Sequence, residues 1–176
     1  MKIFKWVLVV LSSLLLFLFI SGYLLLRNSL APYDGEISLK GIHHPVEITF
    51  DKMGIPQIWA ETENDAYFSL GWLHASERLF QMDMTRRISQ GRLSEVLGAL
   101  TLQLDIESKI IGHKRMAIQQ LDNLSARNRT ILENYTAGIN AFVANTSAMP
   151  FEFYLLGYEF EPWTVSRRRL PNRAPW

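Results

Sequence analysis

The sequence predicts an α+β chain that opens with a transmembrane helix and continues as a short β-hairpin followed mostly by helices. Three observations carry that reading. Residues 6–26, WVLVVLSSLLLFLFISGYLLL, contain no charge; residues 46–51 alternate apolar and polar side chains; and apolar residues recur at helical spacing after Glu61. With 48% hydrophobic and 12% aromatic residues, the chain is far too apolar to stay disordered.

As a helix, residues 6–26 span roughly 31 Å at about 1.5 Å per residue, which matches a bilayer core. A cleavable signal peptide is the alternative, but its apolar region is typically only about 7 to 15 residues long. The one small-x-small site, Ser29-Leu30-Ala31, is followed by Pro32, a poor residue to cleave before. An uncleaved anchor over residues 1–27 is therefore expected. Lys2, Lys5 and the terminal amine favour a cytoplasmic N-terminus, whereas Arg27 and Lys40 weaken that bias. The body is expected on the periplasmic or extracellular side, tethered through residues 6–26.

Residues 28–35, NSLAPYDG, read as a polar linker. Val46, Ile48 and Phe50 alternate with Glu47, Thr49 and Asp51, the pattern of a strand with one buried face. Residues 55–60 form a second short strand, apolar on both faces, with Pro56 at its start or at an edge. Lys52-Met53-Gly54 makes the hairpin loop, with glycine at positive φ. Residues 36–39 offer a third strand. Asn64 or Asp65 caps a helix to about Gln90, with Ala66, Leu70, Leu73, Phe80, Met84 and Ile88 on one side. Phe68, Trp72, Leu79 and Met82 make the remaining surface apolar too, so this helix belongs inside a large protein. Gly91 interrupts it, residues 93–97 add a turn and Gly98 stops the chain again. Residues 104–121 and 125–144 predict two more helices, the second capped by Ser125 and carrying Ile131, Leu132, Tyr135, Ile139, Phe142 and Val143. Residues 149–164 read as an aromatic, proline-punctuated connection.

The near-neutral balance of 18 Lys and Arg against 17 Asp and Glu hides unlike segments. Residues 28–166 hold all 17 acids but only 11 of the basic residues, and four basic residues close the chain without an acid. So acidic a body offers no footprint for nucleic-acid phosphates. Zero cysteines exclude disulfides, thiolate zinc sites and a cysteine nucleophile. His43, His44, His74 and His113 include no two at three to five residues apart on one helix, so a paired-histidine zinc site is unsupported. His74, beside Glu77 and Arg78 on an apolar helix, reads as a hydrogen-bonded packing residue in preference to a catalytic base. The chain has no Gly-x-Ser-x-Gly elbow, no Ser-x-x-Lys and no phosphate-cradling glycine loop. Arg78, Asp83, Arg86 and Arg87 suit an ion-pair cluster in which Asp83 pairs with Arg86 or Arg87 at helical spacing. That reading is preferred to a substrate-anion site.

Spacing alone yields no active site, but the order of segments is distinctive. VEITFDKMGIPQIWAE at 46–61 and DAYFSLGWLHASERLFQMDMTRRISQGRLSEVLG at 65–98 closely resemble the start of the penicillin acylase family. The stretch Tyr135-Thr136-Ala137-Gly138-Ile139-Asn140-Ala141-Phe142 is similar to the family's Tyr-Ala-x-Gly-x-Asn-Ala, and Leu156-Gly157-Tyr158 leads into Glu161-Pro162-Trp163-Thr164 in the family's order. The likeness covers residues 34–164.

The resemblance implies an N-terminal-nucleophile hydrolase, made as an exported precursor that cuts itself into α and β chains. Its αββα fold sandwiches two antiparallel sheets between helices. Members hydrolyse the carbon–nitrogen bond of linear N-acyl amides such as penicillins or N-acyl-homoserine lactones. The nucleophile opens the β chain, usually as a serine, and its own α-amino group, with a pKa near ~8, takes the hydroxyl proton. An oxyanion hole from the β chain holds the tetrahedral intermediate. The family's nucleophile, its substrate-pocket residues and the carboxylates that often bind calcium come later than the Pro-Trp segment. No catalytic residue, metal ligand or cofactor is therefore expected in this chain, and its substrate-binding residues stay unknown.

Residues 36–164 are accordingly expected to be part of an acylase-like α chain, inactive without a β chain from the same precursor or from a separate gene. Residues 165–176, VSRRRLPNRAPW, depart from the family's amphipathic continuation, which suggests a reading frame lost near Val165 and a truncated product. A reading from a different class is a membrane-tethered, non-catalytic interaction protein whose basic tail contacts acidic surfaces.

Overall fold

A computed structural model describes residues 2–30 and 33–165. The chain is mostly helical with one small antiparallel sheet. Helix α1 runs Lys2–Asn28, strands β1 and β2 run Glu47–Phe50 and Pro56–Trp59, and the long helix α2 runs Glu63–Gln90. After it come α3 (Ser94–Leu97), a 3-10 turn (Gly98–Thr101), α4 (Leu102–Ile111), α5 (His113–Asp122), α6 (Ala126–Asn145) and α7 (Phe151–Leu156).

Within α1, the stretch Phe4–Arg27 has mean hydropathy 2.5 and buries none of its surface against the rest of the chain. Its length and composition suffice to cross a membrane.

The hairpin forms as the period-two pattern predicts, with Ile48 opposite Ile58 and Phe50 opposite Pro56. Ile48, Phe50 and Ile58 turn inward onto the core. The turn is wider than expected. Asp51 Oδ1 accepts from the N–H groups of Met53 and Ile55, both at 2.8 Å, so residues 51 and 55 belong to the loop, and Gly54 takes the expected positive φ of 76°. Residues 36–39 are not a third strand. They have no ladder partner among the described residues, Leu39 packs against the core, and the nearby backbone makes an isolated bridge between Lys40 and Ile42.

Neither Asn64 nor Asp65 caps α2. Thr62 does: its Oγ1 accepts from Asp65 N at 3.1 Å and donates in turn to the Asp65 carboxylate at 2.7 Å. The buried face also differs from the one expected. Phe68, Trp72, Ala75 and Leu79 face the core with Leu73, whereas Ala66, Leu70, Phe80 and Met84 are half-buried and Ile88 is exposed. Helix α6 chooses that face because small residues there let two backbones meet. An added Cβ on Gly71 would lie 2.0 Å from the Tyr135 carbonyl oxygen, and one on Gly138 would lie 1.9 Å from the Phe68 carbonyl oxygen. Around this crossing, Ile139 and Phe142 of α6 and Phe153 of α7 complete the core.

Two further expectations change. Residues 104–121 form two helices, because Gly112 adopts φ 80° and its N–H closes α4 on the Ser108 carbonyl before α5 begins. The connection at 149–164 contains α7, whose Phe153 ring packs against Phe80, Tyr158 and Phe160 with centroids 6.1, 4.8 and 6.4 Å apart. Ser125 caps α6 as read, accepting from Asn128 N.

Candidate functional site

Apart from His113, the residues that sequence reasoning singled out gather in three places along α2. At its C-terminal end, Asp83 is fully buried and accepts from Arg86 and from Arg87 Nε, the latter at 2.8 Å. Both helical spacings are therefore used at once. Arg87 continues to Glu95 at 3.0 Å and lies over the Tyr158 ring. Arg86 donates to the Glu161 carbonyl at 2.8 Å and sits 5.5 and 5.4 Å from the Phe160 and Trp163 ring centroids. Arg92 grips Glu161 with two bonds of 2.8 and 2.7 Å and Glu95 with two more of 2.8 and 2.7 Å. Three arginines thus face three carboxylates. The cluster leaves no surplus positive charge for a substrate anion; it ties the 158–163 segment to α2 and α3.

Its electrostatics follow from that pairing. Arg92's hydrogen bonds hold the Glu161 carboxyl down at about 2, against the usual 4.5, although burial opposes the shift. Bonds to Glu161 and Glu95 push the Arg92 guanidinium up. Burial pulls Arg86 down despite Asp83, and burial beside Asp83 pushes the Tyr158 hydroxyl up.

At the other end of α2, Asp65 is 1% exposed. It accepts from His43 N and His44 Nδ1, each at 2.9 Å, and from Thr62 Oγ1 at 2.7 Å. Burial would raise its carboxyl, but the bonds from His43, Thr62 and His44 hold it well below the usual range. The hydrogen bond to Asp65 raises His44. A histidine oriented by a buried carboxylate is half of a nucleophile-activating arrangement. Among the described residues the missing half is a hydroxyl on the imidazole: the adjacent Thr62 gives its proton to the same carboxylate. The sequence contained one cue to this cluster, the Thr62-x-x-Asp65 capping spacing, and it went unread.

Midway along α2, His74 Nδ1 meets Tyr135 Oη at 2.9 Å, across the α2–α6 crossing. Burial, with Arg78 nearby, lowers the pKa of His74. The packing reading of His74 is the one its geometry supports. Arg78 takes no part in the Asp83 cluster; it sits where α2 kinks, with φ −148° and ψ 33°. His113 opens α5, remote in sequence from the other three histidines. Hydroxyls of Ser76, Thr85 and Thr130 donate to carbonyls of their own helices. Among the described residues, no group of three or more His, Cys, Asp or Glu side chains is placed to hold a metal ion.

Two long-range contacts had no sequence cue. Asn140 reaches Trp163 twice, donating to its carbonyl and accepting from its N–H, both at 2.9 Å. Asp105, 2% exposed, accepts from the N–H groups of Leu93 and Ser94 at 2.7 and 2.8 Å and so caps α3 from α4.

The segment that makes these contacts is similar to known proteins. A family model described as penicillin amidase matches residues 45–168. The penicillin acylase 2 proenzyme of a Pseudomonas species is 42% identical over 138 residues, covering 78% of this chain and 18% of that protein. An acyl-homoserine lactone acylase of Pseudomonas aeruginosa is 35% identical over 77% of this chain and 16% of its own length. The penicillin G acylase of Escherichia coli is 31% identical over 67% of this chain and 14% of its own. The chain thus spans less than a fifth of the length of these relatives. Among solved structures, a thermostable penicillin G acylase from Alcaligenes faecalis superposes with a TM-score of 0.61 at 29% identity, covering 69% of this chain and 66% of that one. With the family model covering most of the chain and the matched segments coinciding with the α2–α6 crossing and the Trp163 clamp, the chain belongs to the penicillin amidase family.

Proposed function

We propose that this chain is the leading part of the α chain of an N-terminal-nucleophile amidohydrolase that cleaves the carbon–nitrogen bond of linear N-acyl amides, penicillins or N-acyl-homoserine lactones among them. It supplies scaffold and requires a β chain to react. The observation that carries this reading is the balanced cluster around Asp83, in which Arg86 and Arg87 are engaged with carboxylates and aromatic rings. The 158–163 segment supports it as well, since Trp163 Nε1 is buried without a hydrogen-bond partner among the described residues. A residue of a completing polypeptide would satisfy it.

Helix α1, with residues 6–26 in the bilayer, anchors the body on the exported side, and residues 36–164 form the acylase-like unit. The expected αββα sandwich arises only when the β chain adds its strands to the lone hairpin. Two measurements test the reading. The full chain, alone and co-expressed with the part of the Pseudomonas penicillin acylase 2 proenzyme that lies beyond the matched segment, is assayed on a chromogenic acyl-anilide. Hydrolysis is expected only with the second polypeptide; turnover by the chain alone overturns the scaffold reading, and no turnover by the pair overturns complementation. Alkaline extraction of membranes is expected to leave the full-length chain in the pellet. Release of a shortened soluble form would identify a cleaved signal peptide instead.

A further inference from the structure

We propose that the groove between the C-terminal end of α2 and the α4–α5 corner is a docking surface for a segment of the completing polypeptide, one that bears Asp or Glu side chains beside apolar ones. This rests on the complementation reading above and assigns it a place. The groove encloses about 550 Å³, and its walls include Arg92, Lys109, Lys114, Arg115 and Ile118 but no acidic residue. Four cations line this groove in a body where acids outnumber bases. Arg92 is neutralised by Glu95 and Glu161. Lys114 and Arg115 have no ion-pair partner among the described residues, and the Asp105 carboxylate near Lys109 is engaged by Leu93 and Ser94.

The groove is shaped for contact. Lys109 lies against Gly91 and Arg115 against Gly112, where an added Cβ would come within 2.7 and 2.9 Å of these side chains. Its lining is apolar in part: Ile118 is 37% exposed. Helix α4 buries one residue, Asp105, and α5 buries none, although each is only ten residues long. Helices this short are marginal in water without a packed face. Cations in the first turn of α5 also oppose its dipole, a conflict that a facing carboxylate relieves. A polypeptide of the right size exists in the family, since more than four fifths of each matched acylase lies outside the shared segment.

The test uses the full chain in detergent and a tagged polypeptide comprising the rest of the Pseudomonas penicillin acylase 2 proenzyme. The double reversal Lys114→Glu with Arg115→Glu is compared with Lys114→Gln with Arg115→Gln, and circular dichroism checks that both variants keep the parent helix content. Association is expected to weaken on the order of tenfold or more on reversal and less on neutralisation, and added salt should weaken the unaltered chain but not the reversed one. Unchanged affinity of the reversed chain overturns this inference while leaving complementation standing. Failure of the unaltered chain to associate overturns both. A change in the chain's own oligomeric state on reversal, seen by sedimentation, assigns the groove to a second copy and also overturns the proposal.

Discussion

Gly138→Ala tests the central packing device, because the usual effect of the substitution has the opposite sign. In an exposed helix interior, replacing glycine by alanine stabilises by about 1 kcal/mol through backbone entropy. At Gly138 the new Cβ would lie 1.9 Å from the Phe68 carbonyl oxygen and 2.8 Å from Trp72 N, where ordinary contact begins at 3.4 Å. The obstacle is backbone on the partner helix, so no side chain can rotate away. Helix α6 must recede from α2 by roughly 1.5 Å at this point. A gap of about 1 Å already forfeits a quarter to a half of each dispersion contact it opens, here among Phe68, Trp72, Ile139 and Phe142. Overpacking of this kind costs typically about 1–3 kcal/mol, and a backbone clash belongs at the top of that range or above it. After the propensity gain, a net loss of about 2 kcal/mol or more is expected. That corresponds to a fall of roughly 8 °C in Tm for a body of this size. Thermal unfolding of the full chain in detergent micelles, followed by near-ultraviolet circular dichroism, measures it. Gly22→Ala in α1, where nothing lies within 4 Å, is the control and should leave that transition in place. Gly71→Ala should behave like Gly138→Ala, and the double variant should lose less than the sum, since the helices part only once. A Gly138→Ala chain as stable as the parent would refute the close-approach account of this crossing.

Three other perturbations probe the polar clusters. Asp83→Asn strands two largely buried guanidiniums, Arg86 and Arg87, and should cost about 3–5 kcal/mol in urea unfolding; a loss below about 1 kcal/mol would mean that the surrounding rings and Glu95 suffice. Asn140→Ala removes both bonds to the Trp163 backbone, an expected loss of about 1–3 kcal/mol that should speed limited proteolysis within residues 158–165; an unchanged cleavage rate rejects the clamp. Acid should destabilise the body in a defined window. The folded-state pKa of Glu161 is depressed to about 2 from 4.5, so its contribution is present above the unfolded value and lost as pH falls through that interval, with Asp65 adding the same sign. Glu161→Gln should flatten that part of the urea midpoint against pH, and an identical profile would remove Glu161 from the account.

Local features were legible in the sequence because their causes are local. The hairpin follows from alternation at 46–50, the α6 start from Ser125, and the Asp83 pairs from helical spacing. The buried face of α2 was misread because counting large apolar residues gives no weight to Gly71 and Ala75, and it is the small residues that decide where α6 approaches. Asn64 and Asp65 are the stronger cap formers by residue type, yet Thr62 caps α2, and Asp65 is the acceptor for His44 from 21 residues away. Asn140 and Trp163 stand 23 residues apart in chain segments whose adjacency no periodicity encodes. Gly112 divides α4 from α5 although the apolar pattern runs across it, since hydrophobic spacing reports which face is buried and not where the backbone turns left-handed.

The same residues explain why family membership says so much about scaffold and so little about substrate. Tyr135 holds His74, Gly138 seats α6 on α2, Asn140 clamps Trp163, and Arg86 lies over Trp163. Each of these is a packing contact within the segment. One relative is named for penicillin and another for acyl-homoserine lactones, yet they match this chain over 138 and 137 residues at 42% and 35% identity. A segment matched by enzymes of different named substrates is expected to set the frame, with selection made by residues outside it. Exchanging the matched segment of the Pseudomonas penicillin acylase 2 proenzyme for residues 45–165 of this chain should therefore preserve its ratio of kcat/KM between a short and a long acyl-anilide to within about threefold, even where overall activity drops. A ratio moved by tenfold or more, about 1.4 kcal/mol of differential transition-state binding, would place acyl selectivity inside this segment and undo the argument.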